Sequence, residues 1–292
     1  RQMCIRDSIN AVVGGLLLLY GRGAENKMSR RDGYCVVTLS WVFFTFFGML
    51  PFYFSGSIDT ITNAFFETMS GFTTTGATIL DDIESLSHGM LFWRSLTQWI
   101  GGLGIVFFTI AILPIFTTGG VQLFSAESTG VTHDRTHPKI NVMAKWLWTI
   151  YLVLTVSETV LLMFGGMSLF DAICQSFATT ATGGYSTKQN SISYWNSPYI
   201  EYVVAIFMIV SSINFSLFLM CLKGKVGRLF KDEELHWFLA SVGILTFLIT
   251  LALVFQNHYD WELAFRKALF QVSTAVSYTH LRAHETALDL VC

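Results

Sequence analysis

Two short stretches of this 292-residue chain combine threonine and glycine in a way suited to holding a bare cation. The first, "GFTTTGATIL" over residues 71–80, contains Thr73, Thr74, Thr75, Gly76 and Ala77. The second, "SFATTATGGYST" over residues 176–187, contains Thr179, Thr180, Ala181, Thr182, Gly183 and Gly184. Glycine reaches backbone angles that turn carbonyls to one side, and threonine sets a hydroxyl oxygen beside its own carbonyl. Rings of such neutral oxygens replace the water shell of a weakly hydrated ion. No carboxylate lies within residues 73–77 or 179–184, which favours a dehydrated monovalent cation over calcium or magnesium, whose sites call for Asp or Glu oxygens.

Each stretch is preceded by an apolar run of about ten residues, half of the roughly 20 that a helix needs to cross a bilayer core. Such a run dips into the membrane and returns, and irregular backbone at that depth must be buried in protein or line a cavity. Aligning Asp59 with Asp171 brings Phe65 or Phe66 opposite Phe177 and sets the two Thr/Gly stretches in near register. A third start, "DWELAFRKALFQVSTA", begins at Asp260 and ends in another Ser/Thr pair. The chain therefore reads as an internal repeat of span, short helix, polar stretch and span.

Composition supports a membrane setting. Hydrophobic residues make up 52% of the chain and charged residues 13%, with a mean hydropathy of +0.52, whereas soluble domains carry about 25% charged residues. Residues 34–54, 91–113, 146–165, 199–222 and 236–256 predict five complete helical spans, and 9–20 the end of a sixth. The segments 21–33, 114–145 and 223–235 hold eleven Lys and Arg residues, against Lys188 alone in 55–90 and 166–198 together. The excess of basic residues places the first group in the cytoplasm and the threonine stretches outside. A net charge of -2 gives no sign of a nucleic-acid partner. Cys4, Cys35, Cys174, Cys221 and Cys292 show no CxxC or metal spacing and predict isolated thiols.

Taken together, "FETMSGFTTTGATIL", "LFWRSLTQWIGGLGIVFFTIAILP", "HPKINVMAKWLW" and "SFATTATGGYSTKQNSI" resemble the membrane subunit of the Trk/Ktr/HKT superfamily of bacterial potassium uptake proteins, most closely its Trk branch. The resemblance covers roughly residues 9–276. It implies an all-α membrane protein of repeated transmembrane helix, re-entrant pore helix and transmembrane helix units, here incomplete. The units would be pore repeat 1 at 33–125, pore repeat 2 at 126–235 and the start of repeat 3 at 236–276, after a preceding helix end and cytoplasmic loop at 9–32. Residues 1–8 and 277–292 match nothing in the family and read as non-native segments. On the family pattern Thr73, Thr74, Thr75, Gly76 and Ala77 form the first filter strand and Thr180, Ala181, Thr182, Gly183 and Gly184 the second, with Gly76 and Gly183 as key glycines. The resemblance further implies potassium uptake across the bacterial inner membrane, passive or as symport, with no cofactor, a homodimer and a cytoplasmic nucleotide-binding regulatory subunit. A glycine at position 76 goes with potassium; a sodium or mixed potassium/sodium transporter of the same superfamily is the alternative.

Other residues carry competing readings. Glu158 inside a span is a functional candidate by its depth, or a packing or snorkelling residue near the outer end. Arg94 is placed to pair with Glu67 or Asp81. "IGGLG" at 100–104 predicts close helix packing through small residues. "SSINFS", with Ser211, Ser212 and Asn214, is either a gate hinge or ordinary interhelical hydrogen bonding. Asp81, Asp82 and Glu84 either gather cations at the mouth or form a solvated loop. An intramembrane enzyme would need a nucleophile with a base or facing carboxylates within the spans; the one pairing to consider is His137 near Asp134. The seven histidines show no metal-ligand spacing.

Overall fold

The computed structural model describes residues 13–16, 19, 30–112, 140–213, 217–218 and 232–277. Among them the regular structure is helical, without β-strands. Helix α1 (Arg30–Gly48) continues as α2 (Leu50–Phe54) past Met49. The break falls just before Pro51, which has no N–H to give the preceding turn, yet Met49 N to Thr45 O (2.9 Å) and Tyr53 N to Met49 O (3.1 Å) carry the bonding across it. The short helix α3 (Ile61–Phe72) and the long α4 (His88–Ile112) complete the first unit. The second comprises α5 (Ile140–Phe164), α6 (Leu169–Thr180), a 3-10 turn at Ser191–Trp195 and α7 (Pro198–Ser211). A third begins with α8 (Glu233–Asn257) and α9 (Trp261–Val276).

The short helices start where side chains can cap them. Thr60 Oγ1 accepts from Asn63 N (3.3 Å) and Ser168 Oγ from Asp171 N (3.1 Å), each satisfying an orphan first-turn donor. The two short helices therefore correspond at an offset of 108 residues: Thr60 with Ser168, Ile61 with Leu169, Phe72 with Thr180. This corrects the alignment of Asp59 with Asp171, because Asp59 precedes its helix cap whereas Asp171 lies within the first turn of α6.

Packing repeats along with the backbone. Helix α3 lies against α1 and α4, α6 against α5 and α7, and α9 against α8. Successive units then join in one way: α6 packs on α4 of the unit before it, and α9 on α7 of the unit before it. Ala64, Ala172 and Ala264, each bonded through N to the carbonyl of its helix N-cap, are fully buried and pack mainly against residues of their own units. Outward faces are apolar, with Phe164 80%, Phe255 71% and Phe247 60% exposed, a surface suited to lipid rather than water.

Of the five expected spans, Lys145–Phe164 and Glu233–Gln256 are long and apolar enough to cross a membrane, while Thr38–Phe54 and Pro198–Ser211 are apolar but shorter. A continuous helix over 199–222 is not formed: α7 stops at Ser211, where Ser212 N bonds to both Met208 O and Ile209 O and Ser212 Oγ turns back onto the Met208 carbonyl at 2.8 Å. Serine competing for backbone groups in this way weakens helix continuation. Helix α4 runs over the expected 91–113 but leaves helical geometry at Gly104 (φ 67, ψ 158). The segments read as non-native lie outside the described residues except Ser277, as do Asn214 and the His137 and Asp134 pairing.

Candidate functional site

Each short helix hands over to its threonine stretch through the same three backbone bonds. At the end of α3, Thr73 N bonds to Met69 O (2.8 Å), Thr74 N to Gly71 O (3.0 Å) and Thr75 N to Ser70 O (2.9 Å). At the end of α6 the set recurs as Ala181 N to Phe177 O (3.2 Å), Thr182 N to Thr179 O (3.0 Å) and Gly183 N to Ala178 O (2.8 Å). Thr74 (φ 53) and Thr182 (φ 55) share a left-handed conformation, as do Gly76 (φ 77) and Gly184 (φ 81). Left-handed backbone at threonine is uncommon; its appearance at one site in both units marks the turn as a constructed feature.

The geometry therefore pairs Thr73–Ala77 with residues 181–185. The sequence alignment of 73–77 with 180–184 is one residue short, and Gly184 rather than Gly183 is the counterpart of Gly76. Thr180 ends α6 and is buried, with its hydroxyl donating to Glu158 Oε2 at 3.4 Å. Ala181 is buried with Leu103 and Tyr151. Gly183 serves a packing purpose, since a Cβ there would meet the Gln98 amide. The other seven positions expected to line a path are open to different degrees: Thr73 and Thr75 are exposed, with their hydroxyls 2.8 Å apart, while Thr74, Gly76, Ala77, Thr182 and Gly184 are partly exposed.

A buried polar cluster ties the two stretches together. Glu67 on α3 accepts from Ile79 N (3.1 Å) and the Thr78 hydroxyl (3.0 Å), anchoring the chain just beyond Ala77. Arg94 on α4 donates through Nε to Glu67 Oε1 (2.7 Å) and through Nη1 to the Ser186 carbonyl (2.9 Å), just beyond Gly184. Its guanidinium carbon lies 3.6 Å from the centre of the Tyr185 ring. The Tyr185 hydroxyl reaches back to the first unit, to Glu67 O (2.8 Å) and Ala77 O (3.3 Å), and Ser70 Oγ donates to Ala77 O (2.6 Å). Of the two partners considered for Arg94, Glu67 is the one it takes.

Helix α4 passes between the two stretches because its glycines leave room. A Cβ at Gly101 would run into the Phe72 carbonyl, and one at Gly102 into Ala181 Cα and the Tyr151 hydroxyl. Small residues at 100–104 do serve close packing, as expected. One turn above, Gln98 Oε1 accepts from Tyr185 N (3.0 Å). Gln98 and Tyr185 were not among the expected site residues; a buried amide next to a Gly-Gly pair gives no periodic signal, and Tyr185 read only as the residue following the glycines.

The remaining candidates fall in place around this centre. Glu158 is fully buried behind α6, so it packs within the protein and does not snorkel. Ser211 is buried at the end of α7, and Ser212 caps it. Asp81, Asp82 and Glu84 are exposed; Asp82 Oδ1 accepts from Glu84 N and Ser85 N as a turn former, and Glu84 pairs with Lys188 at 3.4 Å. Partial burial pulls the Lys188 ammonium pKa down, but Glu84 and Asp171 among its neighbours push it further up, leaving it above the ordinary lysine value. Gln189 closes the same end by donating to Asp81 O (2.7 Å) and accepting from Ile83 N (3.1 Å). Both polar segments thus meet at one end of the bundle.

Comparison with known proteins gives this arrangement a lineage. A family model described as "Cation transport protein", TrkH, matches residues 1–288. The Trk system potassium uptake protein TrkH of Escherichia coli K12 is 43% identical over 264 residues, covering 89% of this chain and 55% of that protein. TrkH of Vibrio parahaemolyticus is 37% identical over 279 residues, covering 91% of this chain and 57% of that protein. The crystal structure of the potassium transporter TrkH from Vibrio parahaemolyticus superposes with a TM-score of 0.72 at 35% identity, over 87% of this chain and 52% of that one. The chain spans about half the length of the curated relatives it matches. Matched by the family model along almost its entire length, this chain belongs to the TrkH family of membrane-embedded cation transport proteins, a transport family and not an enzyme family.

Proposed function

We propose that the chain supplies two consecutive units of a potassium uptake path across the bacterial cytoplasmic membrane, with the ion stripped of water at oxygens of Thr73–Gly76 and of residues 181–184. The observation that carries this reading is the paired turn: two short helices 108 residues apart end in the same left-handed Thr/Gly geometry and are bonded to each other through Tyr185. Neutral oxygens in a fixed cage match a large, weakly hydrated monovalent ion. The names of the relatives, potassium uptake proteins of the Trk system, point to the same ion.

In this reading the acidic and polar end faces outward and the basic segments inward. A homodimer and a cytoplasmic nucleotide-binding subunit, which segments 114–145 and 223–235 would contact, belong to the same proposal, as does a hinge at Ser211, Ser212 and Asn214. The test is a chimera in which residues 34–276 replace the matching stretch of the Escherichia coli relative, expressed in a strain lacking potassium uptake. Growth at low potassium is expected, with Gly76→Ser and Gly184→Ser each weakening the preference for potassium over sodium. No growth, or a preference indifferent to both glycines, rejects the reading; sodium-supported flux would favour the mixed transporter.

A further inference from the structure

We infer that Arg94 is a specificity-determining positioning residue: without touching the ion, it holds the first and second threonine stretches at the separation on which discrimination depends. The inference rests on the function proposed above and adds to it the part that sets the size of the cage. Arg94 joins three things at once: the Glu67 carboxylate at 2.7 Å, the Ser186 carbonyl at 2.9 Å and the face of Tyr185 at 3.6 Å. The Arg94 side chain is 3% exposed and that of Glu67 0%. Beyond them the links continue outward, through Glu67 to Thr78 and Ile79 at the end of the first stretch, and through Tyr185 to Ala77.

The clamp exists only once among the described residues. The position equivalent to Glu67 in the second unit is Gln175, whose Nε2 reaches Thr179 Oγ1 at 3.4 Å and whose Oε1 has no hydrogen-bond partner. A charged link does join units two and three, but at the start of the short helix, where Arg266 Nη1 meets Glu201 Oε2 at 2.9 Å; behind the threonine stretches, Arg94 and Glu67 form the charged pair that the second unit replaces with Gln175. A buried ion pair is a weak source of net stability compared with well-packed apolar side chains. Its effect here is geometric, since a planar guanidinium with separated donors fixes both partners in direction as well as distance. Lysine, a single point of charge, cannot reach both Glu67 and Ser186 in that way.

The test uses the chimera in proteoliposomes, with potassium and sodium uptake measured in competition for Arg94→Lys, Glu67→Gln, the double variant and Tyr185→Phe. The expected result is a potassium-to-sodium preference lowered about fivefold or more in Arg94→Lys and about twofold in Tyr185→Phe, with the double variant no worse than the worse single one, as coupled neighbours behave. A brace with a purely structural purpose would lower protein amount or total flux and leave the preference at the unsubstituted value in both Arg94→Lys and Tyr185→Phe; that result overturns the inference. Should Arg94→Lys fail to reach the membrane, Tyr185→Phe, which removes one oxygen, decides by the same ratio. Failure of the underlying function is separately visible, because the unsubstituted chimera would then show no potassium-dependent uptake, and this inference would fall with it.

Discussion

Gly183 and Gly184 are neighbours with different reasons to be glycine, and substitution should separate them. Alanine at Gly184 must adopt φ 81, a strain of about 1–2 kcal/mol for an L-residue. Alanine at Gly183 meets the Gln98 amide instead, an overpacking cost of about 1–3 kcal/mol. Thermal unfolding of the detergent-solubilised chain should therefore show the Gly183→Ala penalty shrinking in a Gln98→Ala background and the Gly184→Ala penalty persisting. At this scale the sequence was partly readable. The sequence offered Glu67 and Asp81 alike as partners for Arg94, and burial separates them: Glu67 is 1% exposed beside Arg94 whereas Asp81 lies on the exposed loop. The one-residue slip in the second stretch arose because "TTAT" offers several equivalent threonines, and only the left-handed turn at Thr182 separates them.

Helix α4 shows what an element needs beyond hydrophobicity. Gly101→Ala and Gly102→Ala should each destabilise the chain, by about 1–3 kcal/mol where the contacted backbone cannot yield, because Phe72 and Ala181 occupy the space. Gly243→Ala in α8, where a Cβ meets nothing within 4 Å, should be neutral or stabilising by up to about 1 kcal/mol; the comparison is a melting series on the purified chain. Removing the helix caps with Thr60→Ala or Ser168→Ala should cost about 1 kcal/mol each. Hydropathy placed α4, α5 and α8 within a few residues, since long apolar runs have one main solution in a membrane. It overran α7, because hydropathy does not register a serine hydroxyl bonding back to the Met208 carbonyl.

At the scale of the molecule, one step is applied twice: each short helix packs on the second long helix of the unit before it, first α6 on α4 and then α9 on α7. The repeat was evident from its polar stretches, but this step was not, because contacts between elements far apart in the chain leave no periodic pattern within either of them. At the polar end the units are joined more loosely. The Lys188–Glu84 pair has side chains 23% and 43% exposed, so Lys188→Gln should cost at most about 1 kcal/mol and less at high salt. Its pH dependence has a definite sign. With the Lys188 pKa raised in the folded chain, the contribution is fully present below the unfolded lysine pKa and is lost only as pH rises through the folded value. Melting curves across neutral pH should not register it.

The phenol of Tyr185 has one further consequence. Its ring and the guanidinium above it fill the crevice behind the first threonine stretch, and its hydroxyl is spent on two main-chain oxygens. Like a gasket in a joint, the packed ring leaves Arg94 and Glu67 almost no contact with solvent, their side chains being 3% and 0% exposed.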